Sequence, residues 1–295
     1  MFPEFPVFKP LKLADLPAIS QQLKKYQPSV CELAPANLYL WQDFDNTQLT
    51  VINQNLCLLQ SAPIEPPFFL EPIGNNKLPE TAEICLKHAS KISRASEKFI
   101  ESLPAGKYRA KCLRGQFDYL YTTKGLAELK GRKFDGKRNH IKKFQHRFAN
   151  SQFLPLTPDW QDRAISLFDK WFAIRKDSRF FPKLAYTAQK KALEKAFSLF
   201  NELALIGGLL LADETLKGFT IASRLNNETA AVHFAYADPH APGSAQTLLW
   251  EACQKTFSAF PNINLEQDLG IPGLRTSKLS YHPVHLEKKF ELTLG

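Results

Sequence analysis

The apolar pattern of this chain changes period near Leu203, and that change limits which folds the chain can adopt. Before Leu203, two segments repeat apolar residues every three or four positions, which predicts helices. After it, residues 204–212 and 216–223 flank a polar turn, which predicts a β-hairpin. A strand over residues 229–237, then a helix, then a strand over residues 262–268 follow. This order predicts an α+β fold with a largely antiparallel sheet.

The length of 295 residues exceeds that of a common single domain, so we expect two domains, over residues 1–148 and 149–295. The composition, 44% hydrophobic and 23% charged, excludes a disordered chain. The longest apolar run, residues 203–212, contains two glycines and is about half the length that crosses a bilayer. Glu4 and three prolines within the first ten residues argue against a secretory signal, so we expect a cytoplasmic protein.

Cysteine and histidine show no spacing typical of a metal site. The five cysteines are odd in number, lie at least 26 residues apart and form no C-x-x-C motif, which disfavours a disulfide framework and a zinc site. No histidine pair has the H-E-x-x-H spacing. We therefore predict no metal ion and no tightly bound cofactor.

Positive charge is concentrated in residues 107–147, which contain 13 Lys and Arg residues and three acidic residues. The segment carries a net charge of +10, whereas the whole chain carries +9. Within it, residues 137–148 have the period of a helix, with Ile141 and Phe144 on the apolar face. The basic faces of this helix are either solvated or bind a phosphate backbone such as that of tRNA.

A loop of residues 240–245 precedes the predicted helix of the second half. A glycine in such a turn lets backbone N–H groups at the helix N-terminus face a phosphate. The surrounding series of hairpin, strand, loop, helix and strand resembles the acyl-CoA N-acyltransferase (GNAT-like) fold, in which this loop binds the pyrophosphate of the donor. The resemblance implies donor binding by His240, Gly243, Ser244 and Ala245. An ordinary turn with Ser244 as the helix cap explains the pattern about as well.

Acidic and basic residues come together near the C-terminus. In a strand over residues 262–268, Glu266 and Asp268 lie on one face. Arg275 and Lys278 follow a glycine-containing turn and lie on one side of a helical turn. The four residues form either a structural salt-bridge corner or a pocket, in which the Lys278 ammonium lowers the pKa of the Asp268 carboxyl group. In the pocket, Asp268 orients the acceptor and Lys278 stabilises negative charge on the carbonyl oxygen or the donor phosphate.

Several stretches resemble one family, the C-terminal domain of phosphatidylglycerol lysyltransferases together with its soluble relatives. The stretches that carry the resemblance are Ala36–Trp41, Asp118–Tyr121, Leu129–Lys133, Lys137–Ile141, Glu266–Gly270 and Gly273–Tyr281. The resemblance covers about residues 10–290 and implies two tandem GNAT-like domains, as in Fem-type aminoacyltransferases. The best-known members move an aminoacyl group from aminoacyl-tRNA to a lipid hydroxyl.

The resemblance also implies which residues act. Those implied to line the pocket are Glu266, Asp268, Arg275 and Lys278, and those implied to lie near the acceptor or tRNA path are Lys137, Arg138, Asn139, His140 and Lys142. The chain departs from the family at residues 233–236, where the common His-Ile-Glu-Lys reads His-Phe-Ala-Tyr. Ala235 therefore stands where the family has an acidic residue beside the reacting centre.

We therefore expect an acyltransferase with aminoacyl-tRNA as donor, bound through residues 107–147, and an amine or hydroxyl as acceptor. An acyl-CoA-dependent N-acyltransferase is one alternative. A non-catalytic module on the same fold, which binds nucleic acid or an anionic surface, is the other, and Ala235 favours it. The sequence does not specify whether the acceptor is a small molecule, a peptide or a lipid headgroup.

Overall fold

The computed structural model of the chain describes residues 2–174 and 183–295. Within these residues the chain forms fourteen strands and eleven α-helices. The strands are β1 (Lys9–Pro10), β2 (Gln48–Ile52), β3 (Asn55–Gln60), β4 (Phe68–Phe69), β5 (Ile92–Ser96), β6 (Tyr108–Cys112), β7 (Asp118–Thr122), β8 (Gln152–Pro155), β9 (Ile206–Ala212), β10 (Thr215–Arg224), β11 (Thr229–Ala237), β12 (Asn262–Asn264), β13 (His285–Glu287) and β14 (Lys289–Leu294). The helices are α1 (Leu16–Tyr26), α2 (Pro35–Leu40), α3 (Gln42–Asp45), α4 (Leu78–Ala89), α5 (Glu97–Glu101), α6 (Thr123–Glu128), α7 (Asp135–Arg147), α8 (Gln161–Ala173), α9 (Lys183–Ser198), α10 (Ser244–Gln254) and α11 (Pro272–Leu279).

The strands form two seven-stranded sheets that share one pattern of pairing. The first sheet has the order β1-β2-β3-β4-β5-β14-β6, and the second has the order β8-β9-β10-β11-β12-β7-β13. In each order the fourth and fifth strands pair in parallel and every other pair is antiparallel. One helix precedes the fifth strand of each sheet, α4 in the first and α10 in the second. The two halves of the chain therefore repeat one GNAT-like unit, and the predicted fold class is confirmed.

The two halves exchange one strand each. β7 comes before residue 148 but lies in the second sheet, and β14, at the C-terminal end, lies in the first. The strands begin with Asp118 and Lys289, whose side chains are fully buried and form an ion pair at 2.7 Å. A division of the sequence at residue 148 thus separates β7 from the sheet to which it belongs.

The predicted order of elements in the second half is confirmed. β9 and β10 form the hairpin, and its two turn residues, Asp213 and Glu214, both have positive φ, as a tight hairpin turn requires. β11 has its predicted bounds, and α10 begins at Ser244. The last strand is shorter than predicted. β12 ends at Asn264, and the chain leaves the extended conformation at Glu266, where φ is 57°.

The largest hydrophobic cluster joins the two halves. Ile19 and Leu23 of α1 lie in one cluster with Phe168 of α8, Phe197 of α9 and Phe219 of β10, and each is at most 2% exposed. A second cluster packs α7 and α10 against the second sheet. The two halves therefore share one apolar core, whose burial stabilises their contact.

None of the helices in the described part of the chain is long and apolar enough to cross a membrane.

Candidate active site

The site is built around a gap between the parallel strands β11 and β12. Their pairing ends at Ala231 and Asn264, although β11 continues to Ala237. Beyond Asn264 the chain stays with β7, because Leu265 N–H donates to the Tyr119 carbonyl and Tyr119 N–H donates to the Glu266 carbonyl. The strands part here, so side chains can enter the sheet from between them.

His233 and Glu266 bridge this gap. The Nδ1 atom of His233 lies 2.8 Å from Oε1 of Glu266, and its Nε2 atom lies 2.8 Å from the hydroxyl oxygen of Ser223 on β10. The β10–β11 register shifts so that His233 is the extra residue of a β-bulge. Bulges re-aim side chains and are frequent beside active sites. The bulge therefore points the imidazole along the line from Ser223 to Glu266.

The backbone of Glu266 is held in a left-handed conformation, with φ at 57°. Such a conformation costs a glutamate roughly 1 to 2 kcal/mol and persists only where neighbours impose it. Its N–H donates to Oδ1 of Asn264 at 2.7 Å, and its carbonyl accepts from Tyr119 and from the Lys278 ammonium. These contacts fix the direction in which the Glu266 side chain leaves the loop.

Asp268 is fully buried and surrounded by donors. Its carboxylate accepts two hydrogen bonds from the Arg275 guanidinium, at 2.8 and 3.0 Å, one from Arg114 at 3.0 Å and one from the Tyr119 hydroxyl at 2.6 Å. The Gly270 N–H donates at 2.8 Å. Burial raises the pKa of the carboxyl group, but the bonds from Arg275 and Tyr119 outweigh it, and the pKa falls to about 2. Asp268 is therefore ionised at neutral pH.

Lys278 does not contact Asp268, so the predicted pairing of these two residues is wrong. Its ammonium donates to the backbone carbonyls of Leu265 at 2.6 Å, of Glu266 at 3.1 Å and of Gln267. An ammonium has three N–H donors, and the three carbonyls use all of them. Burial lowers the pKa of Lys278 to about 8, while the carboxylates of Glu266 and Asp118 act in the opposite direction. Lys278 thus holds the loop that carries Glu266. The ion pair with Asp268 that was expected of Lys278 is formed by Arg275.

The predicted donor loop is arranged differently from the expectation. Gly243 has φ of 90° and caps α10, and the space where a side chain would stand is filled by the His140 carbonyl and by Phe144 of α7. Ser244 is the first residue of the helix, and its hydroxyl donates to the Asp238 carbonyl at 3.1 Å. A side chain at position 243 would therefore clash with α7. Among the other predicted donor residues, His240 and Ala245 are exposed. Donor binding here stays a prediction.

The basic helix α7 divides its charges between structure and solvent. Lys137 donates to the Ser280 hydroxyl at 2.6 Å and lies 3.8 Å from the centre of the Tyr281 ring. Arg138 donates to the carbonyls that follow α6, and burial lowers the pKa of Lys137. The exposed residues of the helix are Asp135, Gly136, Asn139, His140, Lys142, Lys143, Gln145, His146 and Arg147. A phosphate backbone could thus contact Lys142 and its exposed neighbours, whereas Lys137 and Arg138 are engaged within the protein.

A buried cluster of possible metal ligands lies next to the site. Cys31, Glu32 and Asp118 offer ligand atoms within 4.8 Å of one another. The Lys289 ammonium lies 2.5 Å from Glu32 and 2.7 Å from Asp118. An ammonium thus fills the position that a cation would take.

The model of the family "Phosphatidylglycerol lysyltransferase, C-terminal" matches residues 23–293 of the chain. The chain belongs to this family. No curated protein matches it.

Three solved structures place the family in its fold. A conserved protein of unknown function from Bacteroides thetaiotaomicron is 29% identical, with a TM-score of 0.89 and 100% of both chains covered. The structure of L-PGS from Bacillus licheniformis is 15% identical, with a TM-score of 0.64, covering 94% of this chain and 91% of that one. A GNAT-family acetyltransferase from Colwellia psychrerythraea is 11% identical, with a TM-score of 0.51 and 98% and 99% covered. The last two likenesses are of fold alone.

Sequence reasoning missed four members of this candidate site. Ser223 and His233 lie on neighbouring strands. Arg114 lies just before the exchanged strand β7, and Tyr119 lies on it. The strand exchange that brings residues 114 and 119 to residue 268 has no local sequence signal. His233 had one, because it begins the stretch 233–236 in which the resemblance implied a departure from the family pattern. Ala235, two residues on, is exposed. Residue 235 is an alanine, and the carboxylate that lies beside His233 is that of Glu266.

Proposed function

We propose that the chain is an acyltransferase that moves an aminoacyl group from aminoacyl-tRNA to an amine or hydroxyl acceptor. The observation that carries the proposal is the bridge of His233 and Glu266 across the gap between β11 and β12. Membership of the family supports a transferase-type function. The gap offers a partly exposed carboxylate, and the Arg114 and Arg275 guanidiniums meet on Asp268, two residues along the chain.

In the proposed reaction, the acceptor X–H attacks the carbonyl carbon of the ester that joins the amino acid to the tRNA ribose. The C–X bond forms and the ester C–O bond breaks, while the proton leaves X for the Glu266 carboxylate and then reaches the ribose oxygen. Arg114 and Arg275 are 38% and 36% exposed, so they can stabilise the carbonyl oxygen or a phosphate. Asp268, which is fully buried, orients the two arginines instead of touching the acceptor.

The charge of α7 supports tRNA as the donor. Lys142, Lys143 and Arg147 are exposed, and within residues 2–174 and 183–295 they form no ion pair. Cations that are not neutralised by the protein can bind phosphates and release counterions, which makes binding depend on salt.

The first test compares two ligands by thermal unfolding. Uncharged tRNA and coenzyme A are added separately, because a ligand at 100 times its Kd stabilises a protein by about 2.7 kcal/mol. We expect tRNA to raise the Tm and coenzyme A to leave it unchanged. Stabilisation by coenzyme A alone would replace aminoacyl-tRNA by acyl-CoA as the donor.

The second test measures transfer and its charge dependence. Labelled lysyl-tRNA is incubated with amine and hydroxyl acceptors, and we expect label on an acceptor. Binding of tRNA without transfer to any acceptor would favour a non-catalytic module.

Changing Lys142, Lys143 and Arg147 to Gln should reduce the slope of log affinity against log salt by roughly 2 to 3. The control variant, with the exposed Lys12, Lys24 and Lys25 changed to Gln, removes the same charge from α1 and the segment before it, and should leave the slope unchanged.

A further inference from the structure

Ser223, His233 and Glu266 form a continuous chain of hydrogen bonds from the interior of the second sheet to the gap. Each of its two links is 2.8 Å long. A carboxylate only accepts hydrogen bonds, so Nδ1 of His233 carries a proton and donates to Glu266. In the neutral ring, Nε2 then accepts from the Ser223 hydroxyl. The chain therefore has one direction, from the serine to the carboxylate.

We propose that Ser223 and His233 are positioning residues that hold the Glu266 carboxylate in the gap. His233 engages one oxygen, and the other, which has no hydrogen-bond partner within residues 2–174 and 183–295, is left for the acceptor. The assignment of the acceptor's proton to Glu266 rests on the proposed function. The direction of the hydrogen-bond chain and its role in positioning Glu266 do not rest on that function, because they follow from the geometry and the solvent exposure of the three residues.

The solvent exposure of the three side chains determines which end of the hydrogen-bond chain a ligand can reach. Three groups in the order serine, histidine and carboxylate can also make the serine a nucleophile. Here Ser223 is 3% exposed and the His233 side chain is fully buried, whereas the Glu266 side chain is 17% exposed. A substrate from solvent therefore reaches the carboxylate first, and the serine is the anchor.

The protein holds Glu266 from both sides. The imidazole fixes the side chain, and the left-handed backbone is fixed by Asn264, Tyr119 and Lys278. A carboxylate whose backbone and one oxygen are both fixed needs little reorganisation when a substrate binds, which is the usual advantage of a supported active-site group.

Two substitutions of His233 separate the links. His233→Asn keeps an amide N–H near the position of Nδ1, whereas His233→Gln keeps one near Nε2 and loses the donor to Glu266. We expect His233→Gln to lower the transfer rate from lysyl-tRNA about tenfold to a hundredfold at unchanged KM. We expect His233→Asn to retain at least a third of the wild-type rate. Equal losses in the two variants would show that the imidazole only fills space, and would overturn the proposal.

A second measurement needs no turnover. Nitrogen NMR of the histidine side chains in the wild-type protein reads which ring nitrogen carries a proton, and Ser223→Ala, which alters the environment of Nε2, identifies the His233 signals. A proton on Nδ1 supports the proposal, and a neutral ring protonated on Nε2 alone overturns it.

A fluorophosphonate probe gives an independent check. Labelling of Ser223 would make the serine the reacting end and refute the assignment, whereas we expect none. If no donor yields product but Nδ1 is protonated, the proposed function fails and the positioning of Glu266 stands.

Discussion

The two halves of the molecule have the same pairing order but use the seam between their parallel strands in opposite ways. In the first half, β4 and β5 pair only at Phe69 and Ile92, and the carboxylate of Glu71 closes the seam. It accepts from the Tyr26 hydroxyl at 2.9 Å and from the Ser96 N–H at 2.6 Å, and it is 2% exposed. Burial raises its pKa. In the second half, Glu266 reaches the seam with a carboxylate that solvent can contact.

The comparison shows that the separation of two parallel strands opens a gap in the sheet, but that the gap alone does not form a functional site. Each seam contains a carboxylate bridged to the opposite strand. In the first half both carboxylate oxygens are satisfied by the protein, so the group is structural. In the second half, the bulge at His233 and the left-handed residue 266 leave the carboxylate partly exposed. The polar partners and the exposure, and not the strand order, distinguish the halves.

The largest expected effect tests whether the halves are joined by their exchanged strands. Lys289→Met removes one partner of the buried pair with Asp118 and leaves an unpaired buried carboxylate. Such a loss typically costs about 3 to 5 kcal/mol of unfolding free energy. We expect urea unfolding to show this loss, because the buried pair fixes β14 of the first sheet to β7 of the second.

The neighbouring residue provides the control. Lys288 pairs with Glu97 at 2.7 Å, but both side chains are in contact with solvent, at 48% and 37% exposure. Lys288→Met should therefore cost at most about 1 kcal/mol. Similar losses from the two variants would mean that the buried pair does not hold the exchange.

The next effect concerns the glycine that caps α10. Gly243→Ala places a Cβ atom against the His140 carbonyl and 2.9 Å from Cβ of Phe144, at a φ of 90°. Overpacking and the unfavourable φ together should cost about 2 to 4 kcal/mol. Thermal unfolding checks this, with Gly136→Ala on α7 as the control, because position 136 has open space around it. The control should change stability by no more than about 1 kcal/mol, in the favourable direction. Equal Tm values for the two variants would contradict the packing of α7 on this loop.

The sequence predicted the helices and strands that depend on local pattern. It missed the contacts that depend on the exchange of strands between distant segments. The hairpin, β11, α10 and the helix with Arg275 and Lys278 follow from periodicity and turn residues, and they are found where predicted. The alternation of residues 262–268 failed at Glu266, because contacts from β7 and α11 impose a left-handed backbone that the local sequence does not favour. The same distant contacts decide that Arg275, and not Lys278, pairs with Asp268.

A pH experiment sharpens the comparison of buried and exposed carboxylates. The folded-state pKa of Asp268, about 2, lies below its ordinary 3.8, so its contribution to stability is present above pH 4 and is lost as pH falls through 2. The contribution is about 2 kcal/mol. We expect the difference in unfolding free energy between wild type and Asp268→Asn to shrink by this amount between pH 5 and pH 2.

Glu83 in the first half is the matched control. Hydrogen bonds from Lys107 and Lys87 lower its pKa to about 2 as well, but the pair lies at the surface. Solvent screens such a pair, so Glu83→Gln should change the pH dependence much less than Asp268→Asn does. An equal change would mean that burial does not strengthen the Asp268 contacts.

The smallest effect compares the caps of the two equivalent helices. α10 is capped by Gly243 in a left-handed conformation, and α4 is capped by Lys77, also left-handed, with φ at 47° and ψ at 48°. Lys77 is exposed, so the strain is that of an L residue in this conformation and not of a clash. Lys77→Gly removes the strain but adds freedom to the unfolded chain, and we expect a net gain of about 0.5 kcal/mol, or roughly 1 to 2 °C in Tm. Lys77→Ala keeps the strain and should gain nothing. A loss of stability in Lys77→Gly would show that contacts of the lysine side chain, and not the backbone, set this cap, and the two helix starts would then not be equivalent.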